Sequence, residues 1–369
     1  MGGGVIGLLS AYELVQAGRS VVVLEQGQVG RESSWAGGGI LSPLYPWRYA
    51  DPVNLLAGLS QQAYPALITS LRKQTGVDPE WVRSGLLILD GSEGARAQAW
   101  ATTVGERGIV APAPQIELLK GTQVNELEPA LGSVSDQAIW MPQIAQVRNP
   151  SLMTALRQWL LGRGVEIREG VQVQGFRQCN GRLVGLKVRG GEIEASHCLL
   201  AAGAWSGQLL ESVGMSLAVE PVKGQVLLLG ARPGQLSRII LHKGRYLIPR
   251  RDGRVLVGST VEYAGFDKTV TQAARDDLHQ VAISLVPGLA DCPTERQWAG
   301  LRPGSPHGVP FIDNHIEIEG LYICTGHYRN GFVLGPASAR LVVDLILGRQ
   351  AQLNPRPYSI KTARAGDAA

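Results

Sequence analysis

The sequence predicts an α/β protein in which one domain built on a parallel sheet is interrupted by a second, mixed-sheet domain. Three observations carry this. The first is the run Gly2-Gly3-Gly4-Val5-Ile6-Gly7, followed eighteen residues later by Glu25, which closes Val21-Val22-Val23-Leu24. The second is recurrence: apolar strands running into glycine turns and helices return in the middle and at the end of the chain, with β-rich stretches between them. The third is length, since 369 residues exceed the usual single domain and favour two that share an interface.

The opening run is a G-x-G-x-x-G fingerprint. Gly2, Gly4 and Gly7 permit a tight turn and close backbone approach to a pyrophosphate, which the N-terminus of the following helix holds. Glu25 is placed to accept hydrogen bonds from an adenosine ribose, and an acid there argues for FAD or NAD rather than NADP. The helix spans 5–17 on the spacing of Ile6, Leu9 and Leu14, with Gly18 as its cap. The motif should follow a strand, and only Met1 precedes it. Loss of that strand leaves a slot in the parallel sheet with unpaired backbone on both sides, so a misplaced start codon or a trimmed chain is expected, with about six apolar, β-branched residues encoded upstream.

Strand 21–25 follows, and then a Gly- and Ser-rich stretch, 30–39, which suits a loop against a ligand better than a helix or strand. Ser33-Ser34 and Gly37-Gly38-Gly39-Ile40 read either as a linker or as a flavin or pyrophosphate contact; three consecutive glycines favour the contact. Residues 53–75 read as helix and Leu86-Leu87-Ile88-Leu89 as a strand outside the nucleotide unit. A helix is expected over 151–163, then strands at 165–168, 171–176 and 183–189, with Asn180-Gly181 as a hairpin turn. Cys198 to Trp205 is a buried strand entering a glycine turn. The stretch 221–263 is β-rich, with Asp252-Gly253 turning between Tyr246-Leu247-Ile248-Pro249 and Val255-Leu256-Val257. A helix near 271–286, a strand at 321–325 and a helix over about 333–347 complete the chain, and the tail after Pro355 reads as mobile.

Composition excludes several classes. An apolar share of 44% and a charged share of 18% describe a globular chain with a large core. No apolar run reaches membrane-spanning length and no signal peptide precedes the glycines, so a cytoplasmic location is expected. The net charge of +4, from 35 basic and 31 acidic residues, comes without a Lys/Arg run, which argues against nucleic-acid and membrane partners. Cys179, Cys198, Cys292 and Cys324 lack metal spacing and read as reduced thiols; no metal is expected. Gly326-His327-Tyr328-Arg329-Asn330-Gly331, between a strand and a long helix, is either an ordinary turn or a site that favours negative charge on a ligand, and its Gly, Arg and Asn favour the ligand. Arg302, in Gly300-Leu301-Arg302-Pro303, fits a structural ion pair as well as a substrate carboxylate. Tyr246 and His327, taken alone, read as core residues more readily than as ligand contacts. No Ser/His/Asp or Cys/His nucleophile set and no P-loop is present.

Seven motifs together resemble the glycine oxidase (thiamine-biosynthesis oxidase) branch of the FAD-dependent D-amino-acid oxidase/sarcosine oxidase superfamily: GGGVIG (2–7), GRESSWAGGGILSPLYPWRY (30–49), AAGAWSG (201–207), PVKGQ (221–225), GRYLIPRRDGRVLVGST (244–260), WAGLRPGSP (298–306) and GHYRNG (326–331). The resemblance covers essentially the whole chain. It implies a glutathione-reductase-type FAD-binding domain (1–80, 144–220 and 300–369) and an antiparallel-sheet substrate domain (81–143 and 221–299). Val5, Ile6, Glu25, Ser33, Ser34, Gly38, Gly39, Ile40 and Val173 match flavin-contacting positions, as do His327, Tyr328, Arg329, Asn330, Gly331, Phe332 and Val333. Arg302 matches the residue that pairs with the substrate carboxylate, and Tyr246 and Arg329 match groups that assist it.

The implied reaction is oxidative deamination of glycine and other small amines to oxoacid, ammonia or amine, and H2O2, with molecular oxygen as acceptor and no protein general base. It also implies a homo-oligomer, commonly a homotetramer, and a hand-off of the imine product to thiazole synthase. Gly244 stands where bacillar members carry a histidine and Val261 where they carry a methionine, which puts the preference among small amines in question. The linking cysteine of monomeric sarcosine oxidases is absent from 293–323, so FAD is expected to bind non-covalently. A D-amino-acid oxidase or dehydrogenase and an inactive flavin-binding scaffold are the competing readings; an NAD dehydrogenase lacks a second glycine-rich site.

Overall fold

The computed structural model describes residues 1–110, 112–132 and 137–361. Helix α1 (Val5–Gln16) buries Val5, Ile6, Leu8, Leu9, Ala11 and Tyr12, because it is wedged between two other helices and is therefore apolar on most of its surface. It gives way to β1 (Val22–Leu24) through Gly18, whose φ of 73° suits a residue without a Cβ. The Gly/Ser-rich stretch contains one short helical turn, α2 (Ser33–Ala36), where a plain loop was expected. Helix α3 (Asp51–Thr75) starts on Pro52 and stops at Gly76, whose N–H caps Arg72.

The chain then leaves for the second layer with β2 (Leu86–Ile88), α4 (Gly94–Glu106), β3 (Glu117–Lys120), α5 (Thr122–Leu127) and β4 (Gln137–Met141). It returns with α6 (Asn149–Leu161), β5 (Glu166–Arg168), the meander β6 (Val173–Cys179), β7 (Arg182–Val188) and β8 (Gly191–Glu194), then β9 (Cys198–Leu200) and α7 (Ser206–Glu211). A second excursion supplies β10 (Glu220–Leu229), β11 (Ile239–His242), β12 (Arg245–Pro249), β13 (Val255–Gly258), α8 (Gln272–Leu285) and β14 (Thr294–Gly304). The last return is β15 (Phe311–Asn314), β16 (Leu321–Thr325) and α9 (Gly331–Ile346).

The two excursions build one eight-stranded sheet of order β14-β10-β13-β12-β11-β2-β4-β3, antiparallel except for the β11–β2 pair. Its side chains alternate between faces. Leu87, Leu227, Ile240, Leu247 and Val257 pack beneath α8 on Leu278, Ala282 and Leu285. Leu86, Val226, Leu241, Tyr246 and Ile248 face the other way, toward Ile40, Leu44 and Trp47.

The parallel layer is divided. Among the described residues β1 pairs with β5 alone, and β9 with β16, as separate sheets. Between them lie Met1 and Gly2: the Gly2 N–H donates to Leu24 O (2.8 Å) and the Ala201 N–H to Met1 O (2.9 Å). Val22 on β1 is 44% exposed. After Pro355 the chain is better anchored than expected through residue 361. Tyr358 is 1% exposed and donates to Pro52 O, and Ile360 is 2% exposed; the rest of that tail, 362–369, lies outside the described residues.

Candidate active site

One long cavity runs between the divided parallel layer and the Tyr246 face of the large sheet. At one end it is lined by Gly2, Gly4, Val5, Ile6, Glu25 and Val173. Gly7 is not in the lining. A Cβ there would stand 1.9 Å from Gly2 O, so this glycine serves the fold of the turn rather than facing a ligand. Glu25 is buried and accepts the N–H groups of Gly3 (2.7 Å) and Gly27 (2.9 Å), which locks the loop around it.

Ser33, Ser34, Gly38, Gly39 and Ile40 line the middle. Ser34 Oγ accepts the first N–H of α1, from Val5 at 2.8 Å, and so joins the two glycine-rich turns. Gly39 has φ 72°, and a Cβ would lie 2.1 Å from Val147 O; only glycine fits. The stretch is clamped from outside. Arg250 donates to Gly38 O (2.8 Å), Val147 O and Gln146 Oε1, Asn149 Nδ2 donates to Ser34 O, and the Trp298 indole donates to Ala36 O. Arg250 is half-buried with no carboxylate partner among the described residues, and desolvation pulls its pKa down to about 10.

His327, Tyr328, Arg329, Asn330, Gly331, Phe332 and Val333 close the cavity from the other side. The last three are the first turn of α9, two residues earlier than the spacing suggested, so free N–H groups and the positive end of a sixteen-residue helix line the cavity there. Burial drives His327 to a pKa of about 3, and its imidazole is neutral.

Whether these residues fit FAD is answered by polar atoms that have no partner. Asn330 Nδ2, Arg329 Nη2, His327 Nε2 and Asn149 Oδ1 are buried without one, and all four residues line this cavity. A nucleotide with a polar ring system supplies acceptors and donors to such a set, and the glycine turns leave room for its pyrophosphate. The residues fit.

At the far end stand Tyr246, Arg302 and Arg329. Tyr246 is 7% exposed on β12, opposite Gly258 of β13, where a Cβ would meet its ring at 2.7 Å. Arg302, on β14, reaches under Gly224, where a Cβ would sit 2.1 Å from Nη2. Its Nη groups donate to Lys223 O, Thr260 O and Ser259 Oγ. Among the described residues no carboxylate pairs with it, which removes the structural ion pair as the reason for its burial. Behind it, buried Lys223 bridges Glu262 and Asp267, and Thr260 and Gln225 hold Glu262.

Arg250, Asn149, Gly224 and Ser259 were not singled out as site residues from sequence. Gly224 and Ser259 lay inside quoted motifs without a role, and Asn149 precedes the helix expected from 151. Arg250-Arg251 beside a turn looks like a solvated charge pair, and nothing in the pattern separates one that turns inward.

The comparisons with known proteins agree with this geometry. The family model described as "FAD dependent oxidoreductase", DAO, matches residues 1–345. The chain is 47% identical over 360 residues to the glycine oxidase of Pseudomonas aeruginosa, covering 97% of each. It is 33% identical to the bifunctional protein ThiO/ThiG of Trichormus variabilis, covering 95% of this chain and 52% of that one. The crystal structure of glycine oxidase from Geobacillus kaustophilus superposes with a TM-score of 0.91 at 31% identity, over 97% of this chain and 96% of the other. The chain belongs to the FAD-dependent oxidoreductase family, DAO, on its glycine oxidase branch.

Proposed function

We propose that this protein oxidises glycine, and with it other small amines such as sarcosine and small D-amino acids, to oxoacid, ammonia or amine and H2O2. The observation that carries this is Arg302: a half-buried guanidinium with no carboxylate partner among the described residues, lining the cofactor cavity with Tyr246. A desolvated charge without a counterion is a costly arrangement that a substrate carboxylate repairs.

In this reading residues 1–80, 144–220 and the chain after β14 bind FAD non-covalently, and 81–143 and 221–304 carry the substrate side; the expected break at 300 moves to the end of β14, which stays paired with β10 through Gly304. When bound, FAD supplies the two-electron acceptor that oxygen later regenerates. The chain contributes placement. Arg302 takes the carboxylate, Tyr246 and Arg329 narrow the pocket around it, and the packed Leu241–Tyr246–Ile248 face excludes water. The N-terminus of α9 favours negative charge in the cavity. The imidazole of His327 is neutral and buried, and the carboxylates among the described lining residues are Glu25 and Glu32; a substrate amine that enters deprotonated needs no base from the protein. The rate at low substrate therefore rises with pH as the free-amine fraction grows.

The fused ThiO/ThiG relatives support a hand-off of the imine to a thiazole synthase. The enzyme is read as a cytoplasmic homo-oligomer; no described helix is long and apolar enough to cross a membrane.

The test is Arg302→Ala. KM for glycine should rise by about two orders of magnitude or more while FAD stays bound; an unchanged KM sinks the assignment. A panel of glycine, sarcosine and D-alanine with H2O2 detection ranks the substrates, and turnover seen only with an artificial acceptor makes the protein a dehydrogenase instead.

A further inference from the structure

We propose that Ser259 contacts the substrate directly, its hydroxyl donating a hydrogen bond to the carboxylate that Arg302 attracts. The inference rests on the reading of Arg302 as the carboxylate site and adds a second donor to it.

Ser259 follows β13 and lines the cavity while being 1% exposed overall. Its backbone is held from behind: Arg245 Nη1 donates to Ser259 O at 2.8 Å, and Arg245 is itself paired with Asp277. Its Oγ accepts from Arg302 Nη2 at 2.6 Å. A serine hydroxyl also carries one proton to give. Among the described residues no acceptor takes it, although the side chain is buried and its neighbours are fixed.

The accounting at Arg302 points the same way. Its Nη1 is directed to Lys223 O and Thr260 O, and its Nη2 to Thr260 O and Ser259 Oγ. A carboxylate drawn to this charge therefore meets a guanidinium most of whose fork is already engaged. The hydroxyl hydrogen-bonded to Nη2 is the adjacent donor still free, and it lies within one hydrogen-bond length of the same charge. Two convergent donors of different chemistry fix both carboxylate oxygens, where a single shared fork fixes neither.

The experiment uses the FAD-loaded protein and glycolate, a carboxylate without an amine, followed through the flavin absorbance. In Ser259→Ala the Kd for glycolate and the KM for glycine are expected to rise about 10- to 100-fold, with kcat at saturation within about twofold and FAD retained. Ser259→Cys, nearly isosteric and a poor donor, should show the same loss. Unchanged glycolate affinity in either yellow variant overturns the proposal.

A purely orienting role for Ser259 is separated by repeating Ser259→Ala on an Arg302→Lys background. Lysine has no Nη2 to rest on Ser259, so an effect exerted only through the guanidinium is already lost there. A further loss of glycolate binding is expected, and its absence refutes direct contact. Because glycolate binding needs no turnover, wild-type protein that binds glycolate but leaves glycine unoxidised sinks the activity alone and leaves the Ser259 comparison standing.

Discussion

Gly224 and Arg302 form a pair in which one residue is small so that the other can be large. The guanidinium lies where a Cβ of residue 224 would be, 2.1 Å from Nη2. Gly224→Ala is therefore expected to shift Arg302 bodily and raise KM for glycine about tenfold or more, while the protein stays yellow. Steady-state kinetics with the FAD content measured in parallel checks this, and wild-type KM in the variant contradicts it. His327 carries a second residue-scale expectation. Its folded pKa of about 3 lies below the ordinary 6.5, so between those values the unfolded chain binds a proton that the folded one refuses. Stability should therefore fall as pH drops from about 6.5 toward 3, by up to about 1.4 kcal/mol per unit from this group. His327→Gln should flatten that acid limb in melts taken from pH 7 to 4.5, and equal slopes in both proteins dismiss the effect. Arg302 also marks how far single residues are legible. Its motif left an ion pair and a substrate carboxylate equally open; only the partners around the guanidinium separate the two.

At the scale of elements, the clamp on the Gly37–Gly39 stretch is the part most open to test. Arg250→Met leaves Gly38 O, Val147 O and Gln146 Oε1 without their donor, which should cost about 3 kcal/mol or more and loosen FAD. Faster loss of colour on dialysis is the expected readout, and wild-type retention counts against the clamp. Elements with strong end signals could be read in advance. Helix α3 has Pro52 at its start and Gly76 at its end, and the turns at Asn180-Gly181 and Asp252-Gly253 announced their hairpins. Others could not. Helix α4 is rich in Ala, Thr and Gly and buries only Gly94, Ala97, Ala101 and Val104, a stripe too weak to stand out. Strand β14 carries Gly300, Pro303 and Gly304, poor strand formers, and it exists because nine consecutive pairings with β10 hold it in register, with a tenth beyond a bulge. That register sets the chemistry too, since Tyr246 faces the cavity and Leu247 the α8 side only through the two-residue period of β12.

For the molecule as a whole, the ties between layers differ in worth. The Lys268–Glu32 bridge spans them but is 45% and 36% exposed, so Lys268→Ala should change stability by under about 1 kcal/mol. Tyr358 and Ile360 are nearly fully buried, and a chain ending at Pro355 should lose on the order of 3–5 kcal/mol and melt several degrees earlier. A melting point equal to that of the longer chain contradicts the anchoring. The alternation of parallel-layer segments with β-rich excursions was visible in the spacing of the nucleotide-type segments, whereas the division of the parallel layer depends on which strands find each other in space. The interleaving of the layers has a consequence for biosynthesis. The cavity draws its walls from residue 2 through residue 333, and neither layer is a continuous stretch of chain. During translation the glycine turns emerge first and wait, because the helix end that faces them is made among the last elements. A ribosome stalled before Gly331 therefore holds a nascent chain without its closing wall, and capture of the cofactor waits for the helix made among the last.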